Sequence, residues 1–283
     1  MISAYLSLAK PRILGLILVS SLASALVAGE GTVTAEAGLF LVLSGGLASA
    51  GAAYLNNYFD RDIDTLMVRT KGRPLPLGRV RPRIVLITGL VLIAAAIPAA
   101  LRLNYAVATF ILGGAFVYSV VYTLWLKRRT SLNIVIGGLS GSCAVLAGWF
   151  AMTSAISAVP FLIALIVFMW TPGHFWSLAL AHRDSYRRAG VPMLPAIAGT
   201  KKTIACIVAS TGLLVASSLL PGYAGGFGMT YAVAAIVLGV MALTLALVLL
   251  FRPTRRLAWL NFKFSGVYLL GLLVAMVVGV VTL

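Results

Sequence analysis

The sequence predicts an all-α polytopic membrane bundle of about nine transmembrane helices. Three observations carry this. The chain of 283 residues is 61% hydrophobic and only 10% charged, where soluble domains carry roughly 25% charged residues. The apolar residues fall into continuous runs near the ~20 residues that a helix needs to cross the hydrocarbon, and the mean hydropathy is +1.06. The runs do not alternate between polar and apolar residues, which excludes a transmembrane β-barrel.

In chain order the expected spans are Ile13–Gly29 (α1), Gly38–Phe59 (α2), Ile84–Leu101 (α3), Tyr105–Leu126 (α4), Leu132–Thr153 (α5), Val159–Ala181 (α6), Thr203–Gly222 (α7), Thr230–Phe251 (α8) and Leu260–Thr282 (α9). The first is no cleaved signal peptide: it follows Lys10-Pro-Arg12 and lacks a small-residue cleavage site leading into a soluble domain. Cys143 and Cys206 lie within spans, far apart in sequence, and read as core residues rather than metal ligands. Residues 1–283 are expected to form a single transmembrane domain. A Gly-x-Pro pattern in both long loops, Gly72-Arg-Pro-Leu-Pro76 and Gly190-Val-Pro-Met-Leu-Pro195, hints at an internal duplication of α1–α4 and α5–α8.

The net charge of +16 does not indicate nucleic acid, because the basic residues are segregated. With nine spans, only Arg102 of the 22 Lys and Arg residues falls on one membrane face. By the positive-inside rule the other face is cytoplasmic, so the N-terminus is expected inside and the C-terminus outside, with the cell membrane as the location.

The acidic residues are the sharpest clue. Of six, four (Asp60, Asp62, Asp64 and Asp184) stand where α2 and α6 run into the two long basic loops, and long loops in a compact bundle are usually functional. On a helix continued to Asp64, Asn56, Asp60 and Asp64 recur at i, i+4 and i+8 and share one face over about 12 Å. Asn57 lies beside that stripe, and Asp62 points nearly opposite. Clustered like charges are poor for stability, but a row of oxygen ligands suits Mg²⁺, which takes one or two carboxylates and completes its shell with water or phosphate oxygens. Arg69-Thr-Lys-Gly-Arg73 and Lys127-Arg-Arg129 supply cations on the same membrane face. Carboxylates, a divalent ion and guanidinium or ammonium donors make a site for a diphosphate. A cavity between apolar helices holds a long hydrocarbon tail, and the pairing describes a prenyl diphosphate.

On α6, Trp170-Thr-Pro-Gly-His174-Phe-Trp176 and His182-Arg-Asp184 contain both histidines of the chain. Pro172 and Gly173 are expected to loosen the helix before His174, as at functional breaks in membrane helices, and a histidine there can ligate a haem iron, move protons or donate a hydrogen bond.

Together, Asn56-Asn-Tyr-Phe-Asp60-Arg-Asp-Ile-Asp64, Arg69-Thr-Lys-Gly-Arg73-Pro-Leu-Pro, Tyr122-Thr-Leu-Trp-Leu-Lys-Arg-Arg-Thr130, Asn133-Ile-Val-Ile-Gly-Gly138, Trp170 to Trp176 and Gly190 to Pro195 resemble the UbiA superfamily of intramembrane prenyltransferases, and within it the haem branch. The resemblance covers essentially the whole chain. It implies helices around a central cavity, Mg²⁺, farnesyl diphosphate as donor, haem B as acceptor, and membrane lipid as surroundings. It also implies Asn56, Asp60 and Asp64 as ligands of Mg²⁺–diphosphate, Asn57 standing where many members have Asp, and Arg69, Arg73, Lys127 and Arg128 as stabilisers of the leaving group. Lys71 is assigned to the diphosphate side, and His174, Trp176 and Tyr58 to the haem side. Tyr58, Phe59, Phe175 and Trp176 are the aromatic candidates for shielding an allylic cation. Asp184, alone where most members carry several aspartates, is a further metal-ligand candidate. Alternatives are a quinone-precursor prenyltransferase and a haem or lipid transporter. An association with downstream haem A synthesis is expected if haem B is the acceptor.

Overall fold

The computed structural model describes residues 2–224 and 226–282. Among them nine helices are long and apolar enough to cross a membrane, and they match the nine expected spans with ends moved by a few residues: α1 Pro11–Ala28, α2 Ala35–Phe59, α3 Pro82–Leu101, α4 Tyr105–Arg128, α5 Asn133–Phe150, α6 Ala158–Ala181, α7 Gly199–Ala224, α8 Gly228–Phe251 and α9 Arg255–Val281. Their starts are chemically marked. Thr34, Asn104 and Thr254 cap α2, α4 and α9 by accepting the backbone N–H three residues on, and Pro opens α1 and α3.

Successive helices pack side by side, and α9 returns against α1 to close a ring. α1 also packs on α5, and α9 on α6. The most extensive contact joins α2 to α3. It depends on two glycines: a Cβ at Gly51 would stand 2.6 Å from the Gly89 carbonyl oxygen, and one at Gly89 would stand 2.9 Å from Leu55. Small residues at such a crossing let membrane helices approach to backbone contact. This seats α2, the helix that carries the acidic row.

Two helices depart from the sequence expectation. α4 is α-helical only over Tyr105–Phe116; it widens to a π-helical form over Val117–Trp125 and tightens to a 3₁₀ turn over Leu126–Arg128. Wide turns of this kind concentrate at functional sites. α6 was expected to loosen at Pro172-Gly173 but runs unbroken through both. Gly173 serves contact instead: a Cβ there would lie 2.8 Å from Ser210 Oγ of α7.

Candidate active site

The row on α2 forms as its spacing predicts, by a slightly different backbone. α2 ends at Phe59, and a short helix, Arg61–Leu66, follows a turn at Asp60. The i to i+4 hydrogen bonds nevertheless continue, from Asp60 N–H to the Asn56 carbonyl (3.0 Å) and from Asp64 N–H to the Asp60 carbonyl (2.8 Å). Asn56, Asp60 and Asp64 therefore stay stacked, all three buried.

Each is met by a cation or a donor. Lys127 donates to Asp60 Oδ2 at 2.5 Å, and Arg73 donates to Asp64 Oδ2 at 2.6 Å. Asn56 Nδ2 donates to Asp60 Oδ2 (2.8 Å) and to Thr123 Oγ1 (3.0 Å). Thr123 in turn donates to the Tyr118 carbonyl five residues back (2.8 Å), a bond that the widened turn of α4 makes possible. Lys10 closes the group, donating to Asn56 Oδ1 and, at 3.2 Å, to the Tyr118 hydroxyl. The rings of Tyr118 and Tyr122 stack at 5.6 Å, one beside Lys10 and the other beside Lys127.

Lys10 is a site residue that sequence reasoning counted only as a topogenic charge. Its partners lie 46 and 108 positions away, and only the fold brings them together. Its backbone is left-handed, at φ 53°, a conformation that costs a non-glycine residue about 1–2 kcal/mol and that tends to mark function. Burial, with Arg73 and Lys127 nearby, pushes its ammonium down to about 7 against the opposing pull of Asp60 and Asp64. Arg73 and Lys127, joined by Lys10 when it is protonated, thus face two carboxylates, a set suited to an anionic ligand.

The donor set also fits a divalent cation. Asp60 Oδ1 is buried and meets no donor among the described residues, which leaves a carboxylate oxygen free. Among those residues no three His, Cys, Asp or Glu converge as a complete metal cage. Two carboxylates and an amide oxygen suit a cation that takes its remaining ligands from water and phosphate.

Other sequence candidates are not brought to this row. Asn57 turns away and donates to the Leu8 and Ala53 carbonyls (3.1 and 2.8 Å), holding the N-terminal segment against α2. Arg128 pairs through both nitrogens with Asp62 (2.7 and 2.6 Å) and also reaches the Phe59 carbonyl (2.7 Å). That pair is exposed, and Arg128 holds the Asp62 carboxyl down at about 2. Lys71 and Arg69 are exposed. Asp184 is exposed too, because the turn at His182 into the short helix Arg183–Arg188 buries Ser185 and Tyr186 instead.

The three haem-side candidates do not converge on one another. His174 faces α9: its Nδ1 is 2.7 Å from Ser265 Oγ, and its ring stacks on Trp170 at 4.1 Å and packs against Phe262. With Trp170 Nε1 donating to the Ser265 carbonyl (2.6 Å) and Asn261 Nδ2 to Ser177 Oγ (2.9 Å), His174 belongs to a polar seam between α6 and α9. Trp176 is buried among Ile204, Ile207, Leu249 and Ala258. Tyr58 packs near Leu8 and Leu75 at the N-terminal end of the site, under the Arg61 guanidinium.

The chain is similar to known proteins over nearly its whole length. The UbiA prenyltransferase family model matches residues 17–277. "Protoheme IX farnesyltransferase 1" of Cenarchaeum symbiosum is 44% identical over 271 residues, 93% of this chain and 91% of the relative. The protein of the same name from Paramagnetospirillum magneticum is 43% identical over 276 residues, 96% of each. Among solved structures, that of a digeranylgeranylglyceryl phosphate synthase superposes with a TM-score of 0.83 at 20% identity, covering 100% of this chain and 99% of its own. A UbiA homologue from Archaeoglobus fulgidus bound to GPP and Mg²⁺ superposes with a TM-score of 0.68 at 18% identity, covering 99% and 100%.

Proposed function

Because this chain belongs to the UbiA prenyltransferase family, we propose that it transfers the farnesyl group of farnesyl diphosphate to a vinyl group of haem B, giving haem O and diphosphate. The chain is a membrane-embedded prenyltransferase. The observation that carries the chemistry is the buried row of Asn56, Asp60 and Asp64 under Lys10, Arg73 and Lys127. A passive transporter would leave the pairing of two buried carboxylates with Arg73 and Lys127 unexplained.

Asn56, Asp60 and Asp64 are the residues that would hold Mg²⁺, Asp60 offering a carboxylate oxygen that meets no donor among the described residues. When bound, the ion would offset the charge of the diphosphate and orient it. Lys10, Arg73 and Lys127 draw off the charge that builds on the diphosphate as the allylic C–O bond breaks, its electron pair leaving with that group. The stacked rings of Tyr118 and Tyr122 offer π-faces to the allylic cation. The vinyl π-bond attacks its terminal carbon. Water captures the cation then left on the porphyrin side, and loss of a proton gives the hydroxyethylfarnesyl group. No covalent nucleophile is required of the protein.

The test uses membranes containing this chain, supplied with haem B, Mg²⁺ and labelled farnesyl diphosphate. Label recovered on the porphyrin supports the reading. Label passing instead to an added quinone precursor, or haem carried across the membrane without alkylation, would replace it. The donor-side machinery is expected on the cytoplasmic face of the cell membrane, and association with haem A synthesis is a natural consequence of the product.

A further inference from the structure

Arg69 makes no ion pair with the carboxylate row and lines a different feature. A cleft of about 470 Å³ opens between the end of α6, the start of α7 and the turn joining α8 to α9. Arg69, Arg183, Arg188 and Arg255 line it, against a single carboxylate, Asp184. Among the described residues none of the four guanidinium groups lies within 4.0 Å of a carboxylate oxygen. Arg183 donates to Thr200 Oγ1 (3.1 Å), while its buried Nε meets no acceptor. Buried polar groups in native proteins are nearly always satisfied, so an unmatched guanidinium nitrogen beside an unpaired arginine cluster points to an anion. Burial, together with Arg69 and Arg255, lowers the proton affinity of His182 beside the cleft.

The lining is not uniformly polar. Val68, Leu180 and Pro253 also contribute to it, so the arginines border an apolar surface at the membrane boundary. A lining of this kind suits an anion that also carries apolar surface. None of Asn56, Asp60, Asp64 or Lys127 lines it, so the cations that face the donor diphosphate and those of the cleft are separate sets. Two substrates, each with its own anionic end, account for two basic sites.

We propose that this cleft holds the two propionate groups of the haem acceptor, an inference that rests on the acceptor named under the proposed function. A guanidinium fork matches a carboxylate with two parallel hydrogen bonds, and four arginines exceed what two carboxylates need. In protohaem the vinyl groups stand on the ring edge away from the propionates. Anchoring the propionates at the loop side therefore turns the vinyl edge into the bundle, where the farnesyl chain must lie. The cleft acts by orienting the acceptor, and its arginines are positioning residues.

The test titrates the purified full-length chain with haem B and with haem B dimethyl ester, following the Soret band, and separately with a non-hydrolysable farnesyl diphosphate analogue. Arg188→Glu and Arg255→Glu are the informative variants, because both side chains are exposed and tolerate replacement. Losing a charge-assisted hydrogen bond is expected to weaken haem B binding about tenfold. The ester should bind wild type at least about tenfold more weakly than haem B does, each variant should narrow that difference, and the diphosphate analogue should bind all three proteins within about twofold. Arg79→Glu, an exposed charge outside the cleft, should change nothing. Equal binding of ester and haem B to wild type overturns the inference. So do variants that keep haem affinity and lose the diphosphate analogue, which would assign the cleft to the donor. If wild type neither binds nor alkylates haem B, the acceptor assignment itself fails; if it does both and the cleft variants match it, only the cleft assignment fails.

Discussion

Asp60 and Asp62 are two residues apart and live in opposite surroundings. Asp60 is 1% exposed and shares its Oδ2 between Lys127 and Asn56, while the Asp62 side chain is 59% exposed and meets Arg128 at the surface. Removing one partner of a buried pair leaves the other charge uncompensated, at about 3–5 kcal/mol, so Asp60→Ala would confound chemistry with unfolding. Asp60→Asn also removes the charge that faces Lys127 but keeps the shape and one oxygen to accept its hydrogen bond. It is expected to lower turnover by about 100-fold or more, the scale of losing a group that stabilises transition-state charge, with thermal unfolding of the purified protein checking that the fold survives. Near-wild-type turnover at saturating Mg²⁺ would remove Asp60 from the metal site. Asp62→Asn should keep turnover within a few-fold and cost under about 1 kcal/mol, as exposed pairs do. Its pH dependence has a definite sign. Because Arg128 depresses the Asp62 carboxyl to about 2, the pair's contribution is complete above the ordinary carboxylate value and fades as pH falls through about 2. The stability difference between wild type and Asp62→Asn should therefore stay flat from pH 5 to 8; a difference that changes across that window would show that some other group titrates against Arg128.

At the level of helices, what the sequence revealed depended on the range of the interaction. The Asn56/Asp60/Asp64 stripe was legible because i to i+4 spacing is local and survives the turn at Asp60. The widened turns of α4 were not: Val117–Trp125 is an ordinary apolar run, and its form is tied to the bonds linking Thr123 to Tyr118 and to Asn56 of another helix. The histidine on α6 was read for chemistry because it follows Pro172-Gly173 in the segment that holds both histidines of the chain, whereas its partner Ser265 lies 91 positions on. Helix packing now makes two predictions. His174→Ala should lower the apparent Tm, since an interhelical hydrogen bond in a membrane protein is worth about 0.6 kcal/mol and up to about 1.7, with the lost stacking on Trp170 added. Affinity for the diphosphate analogue should hold. An unchanged Tm with a lost Soret response would instead make His174 a haem ligand. Gly51→Ala should drive a methyl group into the Gly89 carbonyl and Ile93, destabilising by about 1–3 kcal/mol. An unchanged Tm for that variant would mean that the α2–α3 contact is looser than described.

For the whole molecule, the segregation of charge and the number of spans constrain each other. With nine helices, the ends of α2, α4, α6 and α8 share one face with the start of α1, and the basic residues outside the hydrocarbon collect there, apart from Arg102. On the opposite face Arg102 meets Glu36 at 3.3 Å between two exposed side chains, which leaves that face with little net charge. Removing one span would place half of the basic loops on the wrong side, at odds with the bias that sets membrane orientation. The loops containing Lys71, Arg128, Arg187 and Arg255 are therefore expected in the cytoplasm, and the α1–α2 turn at Thr32 outside. The measurement is labelling of intact cells with a membrane-impermeant thiol reagent. It begins from a Cys143→Ala/Cys206→Ala background, because both native cysteines are free and only half-buried. Single cysteines at positions 71, 187 and 255 should react only after the cells are opened, and a cysteine at position 32 should react in intact cells. Arg128 is better left in place, since it holds Asp62 and the Phe59 carbonyl; position 130 reports on the same loop. Labelling of any of the four loop positions from outside would break the nine-span topology. Labelling at position 71 or 130 from outside would also move the carboxylate row to the external face, where the prenyl donor and the haem acceptor would both have to arrive from outside the cell.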